Sequence, residues 1–166
     1  MIERPGRPFE PFAERPLAYL ITWTVYGSWL PGDDRGWRIK RRGEQEPDAG
    51  RRALARYLMI ESPFALDREQ RLLVERTIDD HASFRNWELH ARNCRSNHVH
   101  VVVAAATIAT TMREQFKAWC SRRLNEQAAK SGAARRETWW TSGGDFGRLY
   151  GPQDVEWATI YVRDLQ

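Results

Sequence analysis

The stretch Asn97-His98-Val99-His100-Val101-Val102-Val103 places two imidazoles on either side of one apolar residue, at the head of a β-branched run. Strand side chains alternate faces with a period of two, so His98 and His100 project from the same face of any strand built here. Two neighbouring nitrogen donors on rigid backbone are half of a divalent-metal site. The same pair serves equally as a half-exposed strand face whose rings hydrogen-bond to their neighbours, and the tripeptide does not choose between the two.

Working outward, Arg95-Ser96-Asn97 reads as a turn and Asn86 to Asn93 as the strand before it, a connection so short that the two strands are antiparallel neighbours. Further upstream, Asp67-Arg68-Glu69-Gln70 has the form of a capping box, with Asp67 as N-cap and Gln70 returning to its amide. Leu73, Val74, Ile78 and Ala82 follow at helical steps, which predicts a helix ending near Phe84. Downstream, the His-bearing strand runs to about Ala105. A second long helix spans Ile108 to Lys130, with Ile108, Met112, Phe116, Trp119, Cys120 and Leu124 on its buried side. Leu17 to Leu30 reads as a core strand, with Leu20, Thr22 and Thr24 on one face and Tyr19, Ile21, Trp23 and Val25 on the other. Pro31-Gly32-Asp33-Asp34 ends it as a turn. After a Ser131-Gly132 break, Thr138 to Thr141 and Arg148 to Tyr150 read as short strands, and Gly151-Pro152 opens a last helix.

The order strand, helix, strand, strand, helix, strand predicts an α+β fold. It is the ferredoxin-like split βαβ arrangement, with a central antiparallel sheet and an appended C-terminal helix that bears a tyrosine. The His-bearing strand lies centrally in such a sheet. Residues 1–16 hold four prolines and read as an extended arm, while 17–166 form a single domain with a basic insertion at about 33–63. Within the insertion, Arg38, Lys40, Arg41 and Arg42 form one cluster and Arg51, Arg52 and Arg56 a second, with a short helix expected at Arg51 to Ile60. Long connections of this kind are functional or disordered. A loop that contacts phosphate and a merely solvated loop both fit the charge pattern.

The 166 residues carry 26 Lys+Arg against 22 Asp+Glu, a formal net charge of +4, which suits a polyanionic partner without requiring one. Cys94 and Cys120 form no C-x-x-C pair, so neither a disulfide framework nor a zinc knuckle is indicated, and both read as small buried residues. Met1-Ile2-Glu3-Arg4-Pro5 lacks a signal-peptide core. The longest apolar stretch, Val99 to Ala109, is interrupted by His100 and is too short to span a bilayer. The expectation is a soluble cytoplasmic protein without a membrane partner.

Two imidazoles leave positions open for oxygen donors, and a hard ion such as Mg²⁺ or Mn²⁺ with mixed ligands suits Lewis-acid help at a phosphodiester. Zinc-hydrolase patterns fit poorly: there is no H-E-x-x-H, and Val102 stands where a third His would follow. Late in the chain, Trp157-Ala158-Thr159-Ile160-Tyr161-Val162-Arg163-Asp164-Leu165-Gln166 carries one tyrosine. Such a residue can be a covalent nucleophile, or a core or interface residue of an amphipathic helix.

Asn97-His98-Val99-His100-Val101-Val102 resembles the HUH motif, two histidines around a bulky hydrophobic residue. With one late tyrosine on a C-terminal helix, the chain is similar to the single-tyrosine transposases of the IS200/IS605 type, including those associated with repetitive extragenic palindromes. The opening strand and turn, Ile21 to Gly32, and Trp140-Thr141-Ser142-Gly143-Gly144 are similar to the same family. The resemblance implies His98 and His100 as metal ligands, with Mg or Mn as the ion, and Tyr161 as the nucleophile. That tyrosine would cleave and rejoin single-stranded or hairpin DNA through a 5′-phosphotyrosine. It also implies a polar third ligand on the tyrosine helix, for which Gln166 is the candidate and Asp164 the alternative. In better-known members that ligand follows the tyrosine by four residues; here position 165 is Leu, and five helical residues rotate about 140°. Arg38, Lys40, Arg41, Arg42, Arg51, Arg52 and Arg95 are the candidate DNA contacts. Dimerisation is a further family-level expectation. Trp23, Trp119 and Trp157 are expected in the core. A catalytically decayed hairpin-binding module of the same fold is the rival reading, and a phosphodiesterase that uses the histidines without a covalent tyrosine is the other.

Overall fold

The computed structural model of the chain describes residues 15–39 and 41–165. Residues 1–14 of the expected arm, Lys40 and Gln166 lie outside the described residues. The elements run β1 (Ala18–Thr24), β2 (Trp37–Ile39), β3 (Gly43–Gln45), α1 (Ala49–Tyr57), α2 (Arg68–Phe84), β4 (Glu88–Cys94), β5 (His98–Ala104), α3 (Ala109–Lys130), β6 (Asp145–Leu149) and α4 (Pro152–Asp164). Four strands form one antiparallel sheet in the order β4-β5-β1-β6. With α2 and α3 as its two crossovers, this is the split βαβ arrangement, and β5 and β1 are its central strands.

Alternation along β1 and β5 decides which helices cover which face. Ile21, Trp23, Val25, Val99, Val101 and Val103, each at most 1% exposed, face α2 and α3. The opposite face carries Val102 and Ala91, which pack against Ala158 and Val162 of α4. The Val101-Val102-Val103 run is therefore buried on both sides, as a central strand requires. Each such side chain contributes about 1.5–3 kcal/mol of hydrophobic stabilisation.

The capping box at α2 forms as read: Gln70 N donates to Asp67 Oδ1 at 2.8 Å and Asp67 N to Gln70 Oε1 at 2.9 Å. On α3, Met112, Phe116, Cys120 and Leu124 make a buried stripe at four-residue steps. Trp119 is a correction. It lies one position off that stripe and is 41% exposed, leaning on His81 with Arg122 over its ring. Trp157 is also corrected: it is 61% exposed, because α4 turns Ala158 and Val162 inward instead.

Strand β1 is shorter than expected. Beyond Thr24 only Val25 bridges, to Trp140, and the backbone then goes to other partners, Val25 N to Asn97 O and Tyr26 N to Trp139 O. Thr138 to Thr141 is accordingly no strand beyond that one bridge, and the last sheet strand starts earlier than expected, at Asp145. The basic insertion is a folded lobe, with the hairpin β2–β3 followed by α1, whose N-cap Asp48 accepts from Arg51 N at 2.9 Å. Cys94 and Cys120 are buried thiols, as expected. Among the described residues, no helix is long and apolar enough to cross a membrane.

The entry to β6 is tight. Gly144 has φ +141°, and a Cβ there would stand 2.5 Å from Thr22 O and 2.9 Å from Arg113 Cδ. Gly143, at φ +75°, has open space around it. Gly144→Ala is expected to cost about 2–4 kcal/mol, from strain plus displaced backbone, and Gly143→Ala only about 1 kcal/mol. Urea-unfolding midpoints of the two variants against the parent check the difference.

Candidate active site

The two histidines stand on the α4 face of β5, with the fully buried Val99 between them on the other face. Their ring centroids are 4.8 Å apart at an interplanar angle of 80°. Cross-strand register fixes what surrounds them: His100 lies opposite Thr22 of β1 and Asn93 of β4, and His98 lies opposite Thr24.

Each ring is anchored through Nδ1. His98 Nδ1 donates to Asn97 Oδ1 at 2.6 Å, and Thr22 Oγ1 and His100 Nδ1 share a hydrogen bond of 2.8 Å. Anchoring of this kind fixes the orientation of metal-ligating imidazoles. Burial, then the neighbouring His98 and Arg95, pushes the pKa of His100 down to about 4, so the ring is neutral at pH 7 and keeps a lone pair for donation. This donor set fits two positions of a divalent ion.

Helix α4 brings the tyrosine. Proline at its first turn and the inward residues Ala158 and Val162 set its direction across the sheet, and Asn93 Nδ2 donates to Val162 O at 2.9 Å, tying its last turn to β4. Tyr161 is thereby half-buried, with its ring 6.1 Å from that of His100. Trp157, one turn earlier, stacks on it at 5.4 Å with planes 7° apart.

The third ligand is not brought in among the described residues. No group of three His, Cys, Asp or Glu that could hold a metal occurs there. Leu165 N bonds to Tyr161 O at 3.2 Å, so helical register continues and a leucine occupies the fourth place after the tyrosine. Asp164 is exposed and paired with Arg163 at 3.2 Å. Gln166 lies outside the described residues.

Of the cationic candidates, Arg95 sits in the β4–β5 turn and places its charge near His100. Arg38 is exposed on β2, 3.9 Å from Asp145. Arg41 and Arg42 are exposed at the β2–β3 turn. Arg51 pairs with Asp48, and Arg52 with Asp34. The two arginine clusters thus belong to one lobe, and Lys40 lies outside the described residues. Sequence reasoning missed Thr22, Asn93 and Trp157 as parts of the site. For Thr22 the signal was present in its alternation with Leu20 and Thr24, but only the β1–β5 register aligns it with His100.

No family model matches the chain. No curated protein matches it either. Among solved structures it is similar to a REP-associated tyrosine transposase bound to a REP hairpin, with TM-score 0.49 and 10% identity over 95% of this chain and 70% of that one. It is also similar to a candidate transposase from Deinococcus radiodurans R1, with TM-score 0.48 and 12% identity over 98% of this chain and 97% of that one.

Proposed function

We propose that this chain cleaves and rejoins single-stranded DNA at hairpin or palindromic sequences, as a metal-dependent single-tyrosine enzyme of the HUH transposase type. The observation that carries the reading is the approach of the Tyr161 and His100 rings to 6.1 Å on one sheet face, beside His98. A Mg²⁺ or Mn²⁺ ion held by His98 and His100 would polarise the scissile phosphoryl group and offset its developing charge.

The chain's own residues do the rest. The Tyr161 hydroxyl attacks phosphorus and gives up its proton to a base or to water. As the new phosphorus–oxygen bond forms, the bond to the 3′ oxygen breaks, and that oxygen takes up a proton. The products are a 5′-phosphotyrosyl link and a free 3′-hydroxyl. Attack of another 3′-hydroxyl on the link reverses the step, so no high-energy cofactor is needed. Thr22 and Asn97 hold the imidazoles while this happens, and Asn93 holds the helix. Within the single chain Tyr161 already stands beside His100, and a light-scattering mass of one chain at working concentration is the result that removes an arrangement in which the tyrosine helix serves a partner's histidines.

The absence of a donor at position 165 favours a second reading, a hairpin-DNA-binding module that has lost cleavage. A 3′-end-labelled hairpin oligonucleotide incubated with the protein and Mn²⁺ separates the two. Label migrating with denatured protein is the expected result. DNA that is retarded but uncleaved establishes the binding module.

A further inference from the structure

Next to the His98 end of the sheet, a cleft of about 670 Å³ opens between the insertion lobe and the segment 141–145. Thr24 and Asp145 line it, together with Trp29, Trp37, Arg38 and Glu44. Thr24 lies opposite His98 in the sheet, and Asp145 lies opposite Thr22, the residue bonded to His100. Through Thr24 and Asp145 the cleft thus adjoins the candidate active site in the sheet.

Its two indoles are held rigidly and by unusual means. Trp29 Nε1 donates to Gly36 O at 2.8 Å and Trp37 Nε1 to Glu46 O at 3.0 Å, so both ring N–H groups are already satisfied by backbone. Each ring has a guanidinium on it, Arg35 over Trp29 at 4.6 Å and Arg51 over Trp37 at 5.0 Å. Arg35 is itself clamped by Asp33 at 2.7 Å and by Ser28 O at 2.8 Å. On the opposite wall, Lys117 Nζ donates to Thr141 O and Gly143 O at 2.9 and 3.0 Å, fixing the loop from within. What such a cleft offers a ligand is oriented aromatic surface.

We propose that this cleft takes an unpaired nucleobase of the DNA strand that crosses the His98–His100 pair, stacked against Trp37 or Trp29. The inference rests on the DNA-cleaving reading above and adds where the strand goes next. Every nucleobase has a π-face, so stacking on rigid indoles binds single strands with little sequence preference, whereas a paired base keeps its faces within the duplex stack. The carboxylates of Glu44 and Asp145 repel a phosphate from the cleft, while exposed Arg38, with Arg41 and Arg42 at the adjacent turn, attracts the backbone along the rim. The base enters and the phosphates stay outside. The volume accommodates one or two nucleotides on the scale of ordinary ligand pockets.

The test is fluorescence polarisation with the full chain and labelled dT12, compared with a duplex of the same length. Trp37→Ala is expected to weaken dT12 binding about tenfold and Trp37→Phe, which keeps a π-face, by no more than about twofold. Arg38→Glu tests the same rim at an exposed position whose ion pair with Asp145 is a long 3.9 Å, and is expected to weaken dT12 binding and flatten its salt dependence. Binding of dT12 at parental strength by both Trp37→Ala and Arg38→Glu overturns the proposal, as does an equal loss on the duplex. Failure of the DNA-cleaving reading looks different: the parent forms no adduct with hairpin DNA, while dT12 binding still depends on Trp37.

Discussion

Tyr161→Phe is expected to give no covalent protein–DNA adduct and to lower strand cleavage by about 10³-fold or more, because it removes the one atom that forms the phosphodiester intermediate. The ring remains, and with it the stacking on Trp157 at 5.4 Å and the packing beside His100. Thermal stability and hairpin affinity should therefore stay near parental values, which makes this variant a clean separation of chemistry from binding. The adduct assay on a 3′-end-labelled hairpin measures the first effect, and a gel-shift titration measures the second. Undiminished cleavage by Tyr161→Phe would instead make the protein a phosphodiesterase that uses His98 and His100 with water as nucleophile. Loss of binding together with cleavage would mean that the phenol positions DNA.

The sheet and its helices were legible because their signals are local and periodic. Two-residue alternation put His98 and His100 on one face, the Asp67–Gln70 pair marked the start of α2, and four-residue steps marked α3. The insertion was not legible as a folded lobe, because what orders it is tertiary. The Asp33–Arg35 clamp, the bond from Asp48 N to Gly32 O and the Trp37 indole donating to Glu46 O each join short, polar segments without a period of their own. The same limit explains the tryptophans. Composition places a large aromatic ring in the core, yet Trp119 and Trp157 each sit next to a smaller residue, Cys120 and Ala158, that the helix packs inward instead. At the candidate site, alternation put the two imidazoles on one face, and only the family resemblance singled out the tyrosine. It could not identify Thr22 as the partner of His100, since a pairing over 78 positions depends on the β1–β5 register.

That pairing carries the second large effect. Replacing both His98 and His100 by Ala is expected to abolish Mn²⁺-dependent cleavage and to remove Mn²⁺ binding in a calorimetric titration, since the described residues contain no group of three His, Cys, Asp or Glu that could take the ion instead. Thr22→Val is the more informative companion. Valine nearly matches threonine in shape and suits a strand, so the sheet should persist, but His100 Nδ1 loses its 2.8 Å hydrogen bond. An outer partner of this kind is worth about 10- to 100-fold in metal affinity or activity. Thr22→Val should therefore bind Mn²⁺ more weakly in that proportion, and raising the Mn²⁺ concentration should recover most of its cleavage. Raising Mn²⁺ should recover nothing in the double histidine variant, which lacks the ligands themselves. Parental Mn²⁺ affinity in Thr22→Val would show that the ring is held by its packing on β5 alone, and would confine the role of Thr22 to the strand.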